Sequence, residues 1–537
     1  MLSLQRISAE RYKIFIVGMI ILAAVLIRAY NINGALFDFN PLRQAVGTAI
    51  ARNYALDPEV KILLPQADNA GAAPGYFMFE APIIPYATSF LIKAVGSPNW
   101  AFRLPIILLF ACSAIYFYKL CSLIVDFRTS ALALSFYCIA PISILMGRVF
   151  QAESFMLCML FSSLYYLIRW FKEEKTCHLL VTTLSLTILI LLKITNFYVF
   201  LLIGSLFLIY KKSRLIPHFI LPALFILTVN FWWWFVHSAG VRAEFPTEYT
   251  LVSGESFFGA KYLLERIKEF SFSFKYWSLI VRQTSWIIFS PILFILFLTG
   301  MFVKKKKEVS LFLLAWTGAV LFFIFAVPVA GMQDYYKIHF LPPGAILAAI
   351  CCFFIFDKIK MGWKKNAIFI VFWIILCANI FLIVYPVVRL KPIFESQQVL
   401  GKKVEEMTKR DDLILTAFGP DAMLLYYCNR KGWSQYLPVK NDNIGLLEER
   451  RKEGAKYFVC GNLDELDSDP EFKKYLFNKY KLLSEKDRQY GEPQEGTLDY
   501  LMWMFLNKID YPTAKNIQEK FERKSLGYVI FDLRRKF

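Results

Sequence analysis

Apolar residues run along this chain in blocks of about 20, broken by short charged or turn-forming segments. A helix of about 20 apolar residues is the length needed to cross about 30 Å of hydrocarbon. Reading runs bounded by charge or turn residues predicts about eleven spans, at 13–31, 101–121, 129–146, 153–170, 179–193, 195–210, 216–237, 284–303, 309–329, 340–356 and 366–386. The two runs that meet at Lys193 can also be read as one bent helix, which would invert everything after it. Beyond residue 388 the pattern changes. Asp412–Ala417 (DLILTA) and Ala455–Cys460 (AKYFVC) read as short buried strands, and Asp421–Tyr427 and Asn443–Lys452 as helices. The predicted architecture is mainly α: a polytopic transmembrane helical bundle over residues 1–388, with a first outer loop at 32–100, then a soluble α/β domain over 389–537.

Composition agrees with this reading. The chain is 57% hydrophobic and 19% charged, with 52 Phe, 28 Tyr and 12 Trp, which excludes a soluble enzyme, a disordered chain and a fibre. Its 10 Cys lie mostly inside the apolar runs without metal-type spacing, so they read as small apolar residues rather than a disulfide framework. Residues 389–537 hold 27 Lys+Arg against 24 Asp+Glu, so most of the net charge of +19 belongs to the membrane part. There the bases sit in short loops, where they set topology rather than bind nucleic acid. With a cytoplasmic N-terminus, the loops on that side carry 19 bases against six acids and support separate spans on either side of Lys193. The first run is too long, and too poorly followed by small residues, for a cleaved signal peptide, and is expected to remain as an anchor. The long loops 32–100 and 238–283, the turns near Arg148, Lys193 and Asp334, and the tail from 387 then share the outer, extracytoplasmic face. The varied polar chemistry lies there, at the membrane boundary.

Several outer-face residues are candidates for chemistry. Asp38 follows the first span and precedes Pro41, a plausible helix start; it is placed to act as a general base, or with Asn40 to cap the helix running through Arg52. Glu80 is one acid in an aromatic, proline-rich stretch (Tyr76–Tyr86) that suits an interfacial helix. Arg148 and Glu153 flank a span boundary, Lys193 lies alone between two spans, and Asp334, Tyr335, Tyr336, Lys337 and His339 follow the ninth span. Singly, each also reads as a topological anchor or surface ion pair; together with Arg43 they fit a phosphate-bearing substrate, which Arg binds in bidentate fashion and Lys as a point charge. The four His have no metal spacing, and Trp232–Trp234 reads as an aromatic belt. There is no GxGxxG, P-loop or fixed-period repeat, which argues against a nucleotide-driven pump.

The order of an outer-loop acid, RQxxxTAIARN (Arg43–Asn53), FEAPIIPY (Phe79–Tyr86), FRLP (Phe102–Pro105), GRxxxxES (Gly147–Ser154), LLK (Leu191–Lys193) and DYYKIHFLPP (Asp334–Pro343) resembles the GT-C glycosyltransferases, in particular the branch of protein O-mannosyltransferases and aminoarabinose transferase, over about residues 10–390. The resemblance implies transfer of a sugar from a polyprenyl-phosphate donor to a lipid, glycan or protein acceptor outside the cytoplasm, in a bacterial inner (plasma) membrane. It implies that Asp38 is the general base, with inversion at the anomeric carbon. Relatives with the RQ motif often carry an acid and Thr directly after it, where this chain has Val46 and Gly47. Part of the family uses a divalent metal and part does not, and no carboxylate cluster here decides between them. The alternative is a transporter or flippase of a lipid-linked sugar; it is disfavoured because the spans lack midplane charge and show no inverted repeat.

Overall fold

The computed structural model describes residues 2–37, 39–245, 251–252, 260–359, 362–388, 392–418, 422–435, 437, 442–490 and 523–536. Each of the eleven predicted runs falls on helix. The first eight helices are α1 (Leu2–Ala29), α2 (Pro41–Leu56), α3 (Ile83–Val95), α4 (Asn99–Ile124), α5 (Phe127–Ile139), α6 (Pro141–Met146), α7 (Glu153–Glu173) and α8 (Thr176–Leu192), and further helical segments continue to Val388. Among the described residues, seven helices are long and apolar enough to cross a membrane alone, and a bent pair adds an eighth; α5 and α8 are shorter apolar helices. The chain does break at Lys193: α8 ends at Leu192, and a tight turn over Ile194–Tyr198 leads into Val199–Ile209.

Two details differ from the linear pattern. The run 284–303 is not one straight span, because Phe274–Ile288 and Pro291–Phe302 meet at 112°. Ser290 between them has φ 74, and Pro291 has no N–H to continue the helix. The stretch 238–283, expected as a loop, contains helices at Ser238–Glu244, Ala260–Arg266 and Phe274–Gln283. The last carries apolar residues on one face only, so it shows no long apolar run.

The bundle is turned outward in the way lipid requires. Phe302, Leu221 and Ile370 are exposed, whereas Arg28, Arg103, Arg148, Glu153, Lys193 and Lys337 are buried. Apolar side chains on the outside meet hydrocarbon at no cost, while charge there would be expensive. Short polar contacts tie neighbouring helices, including Ser113 to Tyr137 at 2.8 Å between α4 and α5 and Ser162 to Ser185 at 3.1 Å between α7 and α8.

Two-residue strands β1 (Phe77–Met78) and β2 (Leu251–Val252) pair in parallel between the two long loops. The tail is built on β3 (Leu413–Ala417), β4 (Gly432–Gln435), β5 (Ala455–Cys460) and β6 (Tyr480–Lys486), with a short antiparallel pair of β7 (Gln489–Tyr490) and β8 (Arg523–Ser525), and a long β9 (Tyr528–Lys536). The main sheet has the order β4-β3-β5-β9-β6, parallel over its first three strands and antiparallel at β9. Alternation along β3 sends Ile414 to a layer with Leu400 and Val404, and Leu415 to a layer with Leu447, Phe472 and Leu476. A strand buried on both faces reads as a continuous apolar run, which is why LILTA was legible.

The tail docks on the loop between α2 and α3. Gly71 N–H donates to Gly432 O at 2.7 Å and Gly432 N–H donates to Asp68 O at 3.0 Å, extending the β4 edge. Gly71 has φ +60, and a Cβ there would fall 2.1 Å from the Trp433 ring, so both the turn and the approach require glycine. Arg52 of α2 binds Asp68 at 2.5 Å, donates to Tyr426 O at 2.8 Å and lies over the Tyr426 ring.

Candidate active site

Pro41 opens α2, where its fixed φ suits the first turn and its missing N–H costs nothing. Asn40, at the N-cap, adopts a left-handed conformation and its side chain makes no cap bond. Instead Asn40 Nδ2 donates to Gln151 Oε1 at 3.3 Å, and Gln151 Nε2 donates back to Asn40 O at 3.3 Å. From inside α2, Gln44 Nε2 donates to Phe39 O at 2.7 Å, while its Oε1 accepts from Phe150 N at 3.0 Å. Upstream, Arg103 donates to Asn31 O and Ala35 O at 2.9 and 2.8 Å. The turn is thus held from both sides, and it contains two non-glycine residues at positive φ, Phe37 (78) and Asn40 (53). Such conformations persist only where surrounding contacts over-determine them. Asp38, the expected general base, lies between Phe37 and Phe39 and is outside the described residues.

Past this turn the charged side chains converge. Arg43, in the first turn of α2, sits 3.8 Å from Glu80, with its guanidinium 5.4 Å from the Phe79 ring centroid. Burial raises the Glu80 carboxyl above the ordinary carboxylate range, against the lowering pull of Lys193 and Arg43. Lys193, at the end of α8, forms an ion pair with Glu153, the first residue of α7. The ammonium of Lys193 also lies 4.5 and 4.8 Å from the ring centroids of Tyr335 and Tyr336. Lys193 has extended backbone (φ −155), so its side chain leaves its own helix axis and crosses to α7.

Two cavities meet at these residues. One, of about 660 Å³ including its open mouth, lies between one face of α2, Phe77, the start of α3 and the Phe150–Glu153 turn. The other, of about 1040 Å³, runs past Asn40, Gln333, Tyr335 and Tyr336 to Trp234, Leu263, Val327 and Val329. Arg43, Glu80 and Lys193 line both and form the wall between them.

Of the residues singled out from the sequence, the structure brings together Arg43, Glu80, Glu153, Lys193, Tyr335 and Tyr336. Four others lie outside the cavity linings. Arg148 is buried and reaches Asn31 O at 3.5 Å. Asp334 caps the turn that follows it, accepting from Tyr335 N at 2.7 Å; burial raises its carboxyl above the usual range. Lys337 donates to the carbonyls of Gly331 and Gln333 at 2.5 and 2.7 Å. His339 Nδ1 pairs with Tyr198 OH at 2.9 Å. Two groups were missed: the Gln44–Gln151–Asn40 amides, and the α2 face of Val46, Gly47 and Ile50. That face had a signal, because these positions follow Arg43 at helical spacing of three, four and seven. Among the described residues no three His, Cys, Asp or Glu side chains come together to hold a metal ion. Glu80 and Glu153 line the first cavity, but each is matched to a cation, an arrangement that does not fit a divalent ion.

The sequence profile of a family described as dolichyl-phosphate-mannose-protein mannosyltransferase matches residues 80–234, which span Glu80, Arg148, Glu153 and Lys193. No curated protein matches the chain. Among solved structures, ArnT from Cupriavidus metallidurans bound to undecaprenyl phosphate superposes with a TM-score of 0.59 at 11% identity, covering 87% of this chain and 96% of that one. The oligosaccharyltransferase AglB from Archaeoglobus fulgidus, in complex with an inhibitory peptide and a dolichol-phosphate, gives a TM-score of 0.61 at 11% identity, covering 98% and 89%. This chain is an integral membrane protein with the fold of these two structures: an apolar helical bundle, with seven described helices long and apolar enough to cross a membrane, followed by a tail with a small mixed sheet.

Proposed function

We propose that the protein transfers a sugar from a polyprenyl-phosphate donor to an acceptor on the outer face of the membrane. The observation that carries this reading is the wall of Arg43 and Lys193 shared by two cavities, one of which leads toward Val327 and Val329 at the end of a membrane-crossing helix. A phosphoester has an apolar tail and an anionic centre, and this wall offers a cation pair beside an apolar exit. The likeness to structures holding undecaprenyl phosphate and dolichol-phosphate supports the same class of donor.

In this reading the donor phosphate rests on Arg43 and Lys193, with the isoprenoid along Leu263, Val327 and Val329. Tyr335 and Tyr336 keep Lys193 charged and facing the phosphate. A new bond forms between the acceptor nucleophile and the anomeric carbon as the bond from that carbon to the phosphate oxygen breaks. The bonding electron pair leaves with the phosphate, whose growing charge the two cations stabilise. Asp38 takes the nucleophile's proton. Attack opposite the leaving phosphate inverts the anomeric centre.

The test is incubation of purified protein with a panel of polyprenyl-phosphate sugars and membrane extract, following release of free polyprenyl phosphate. Wild type releases it from at least one donor and Asp38→Asn does not, although the variant inserts normally. Release undiminished in Asp38→Asn removes that residue from the mechanism; no release from any donor refutes the reading.

A further inference from the structure

The short helix Met423–Tyr427 of the tail has two faces. Leu424 and Leu425, with Cys428 just beyond, belong to the tail's own core, whereas Met423, Tyr426 and Tyr427 belong to the core of the bundle. That second face meets the turn leading out of α1. Tyr427 OH donates to Leu36 O at 3.1 Å, and the Phe37 ring packs on both tyrosines, with centroids 5.5 Å from Tyr426 and 5.2 Å from Tyr427. Leu36 and Phe37 are both fully buried. Phe37 has φ 78, which is unfavourable for a bulky side chain and persists only where surrounding contacts impose it. The helix that supplies these contacts is itself fixed from two directions. Arg52 of α2 donates to Tyr426 O at 2.8 Å, and Gly401 of the helix Pro392–Met407 rests on the Tyr427 backbone, where a Cβ would fall 2.5 Å from the carbonyl carbon.

We infer that Tyr426 and Tyr427 are positioning residues for transfer: by holding Leu36 and the strained Phe37, the tail sets where the chain presents the next residue, Asp38. This rests on the reading above, in which Asp38 takes the nucleophile's proton. The bundle secures the other flank of that residue, where Gln44 donates to Phe39 O. A base acts only within hydrogen-bond reach of the proton it removes, and a displacement of about 1 Å costs about 100-fold in rate. The tail is then part of the apparatus for the chemical step, and the site is complete only while the tail is docked.

Tyr427→Phe deletes the hydroxyl that donates to Leu36 O and keeps the ring; Tyr426→Leu keeps apolar bulk and takes a ring away from Phe37. Tyr475→Phe is the matched control, because its hydroxyl donates to Glu448 Oε1 at 2.9 Å in the other layer of the tail. Full-length wild type and variants, each with its unfolding midpoint measured, are given polyprenyl-phosphate pentose, hexose and N-acetylhexosamine with membrane extract as the source of acceptor. For the donor that wild type uses, kcat and donor KM for polyprenyl phosphate release are separated. Tyr427→Phe lowers kcat about tenfold and leaves donor KM within about twofold, the mark of an interaction that serves the chemical step rather than donor binding. Tyr426→Leu lowers kcat at least as far, and Tyr475→Phe changes neither constant. Should Tyr426→Leu fail to fold, Tyr427→Phe decides, since it removes one oxygen and no packing. Unchanged kcat in folded Tyr427→Phe, a rise in donor KM alone, or an equal loss of kcat in Tyr475→Phe overturns this inference while leaving the transferase reading intact. Undiminished release in Asp38→Asn also overturns it, because the turn would then have no base to position. No release by wild type from any donor overturns both.

Discussion

Replacing Lys193 by Met separates what the buried charges do for the fold from what they do for the site. The Lys193 and Glu153 side chains are 8% and 1% exposed, so losing the cation leaves a carboxylate unpaired in a place water barely reaches. Removing one partner of such a pair costs about 3–5 kcal/mol, to which the ammonium's contact with Tyr335 and Tyr336 adds roughly 0.5–2 kcal/mol. Met retains most of the packing volume, so the loss is electrostatic. The double variant Lys193→Met/Glu153→Leu replaces both charges by apolar groups of similar size, which is often neutral or stabilising. Thermal unfolding of detergent-solubilised protein should therefore show a large destabilisation for the single variant and recovery to within about 1 kcal/mol for the double. Release of polyprenyl phosphate should fall sharply in both, because each keeps Arg43 but lacks the second of the two cations that stabilise the leaving phosphate. A double variant that regains release along with stability would reduce the pair to a structural strut and refute its assignment to the donor phosphate. A single variant as stable as wild type would refute the claim that the charges hold one another in a dry site.

A reporter fused after Arg389 should be exported, read by a periplasmic phosphatase assay; a cytoplasmic signal would put the tail and the Asp334 turn on the wrong face. Asp68→Asn removes the charge from the Arg52 pair, whose side chains are 8% and 4% exposed, and should loosen the tail by about 1.5–3 kcal/mol, seen as faster protease cleavage between the bundle and the tail. In the tail, burial pushes the Glu448 carboxyl up, but hydrogen bonds from Tyr480, Tyr475, Arg451 and Lys479 outweigh it and hold the group at about 2, against an ordinary 4.5. A lowered folded-state value means stability that is present above pH 4.5 and lost as pH falls through 2. Discounted for solvent screening, Glu448→Gln should cost about 1 kcal/mol at neutral pH, and the difference in unfolding midpoint between variant and wild type should shrink steadily on acidification. A gap independent of pH would mean the network does not depend on the charge.

The bundle was legible because lipid imposes the rule that makes it so. A backbone crossing hydrocarbon must satisfy itself, so each crossing appears as an apolar run, and all eleven coincide with helices. Legibility failed where this rule lapses. The bend at Ser290 requires a positive φ that no periodicity reports, and Phe274–Gln283 is helical on the strength of one apolar face in a stretch that reads as loop. In the main sheet of the tail, β3 and β5 stood out as apolar runs, whereas β4, β6 and β9 were missed. Tyr480–Lys486 lies at the sheet edge and sets its only two aliphatic residues, Leu482 and Leu483, side by side among Lys481, Glu485 and Lys486, while β9 ends in Arg534, Arg535 and Lys536.

At the site, residue type and position along the chain were enough to nominate candidates but not to divide them, because the division depends on what each side chain finds at its far end. Lys337 and Lys193 look alike in sequence: both are lone bases at a span boundary, and both prove buried. Lys337 folds back over the turn before it, where the short helix Pro328–Met332 ends and its last carbonyls lack N–H partners. Those carbonyls take two of its three N–H donors and hold it back from the linings of both cavities. Lys193 follows a helix too, but its extended backbone carries the ammonium off the α8 axis to a carboxylate on α7, and that carboxylate keeps one oxygen unspent. A base absorbed by its own turn is finished structure, whereas one that shares an acid with an open cavity still has an incomplete partner set. On that ground we propose Lys193, Glu153, Arg43 and Glu80 as the site, with Lys337, His339 and Arg148 in the frame around it.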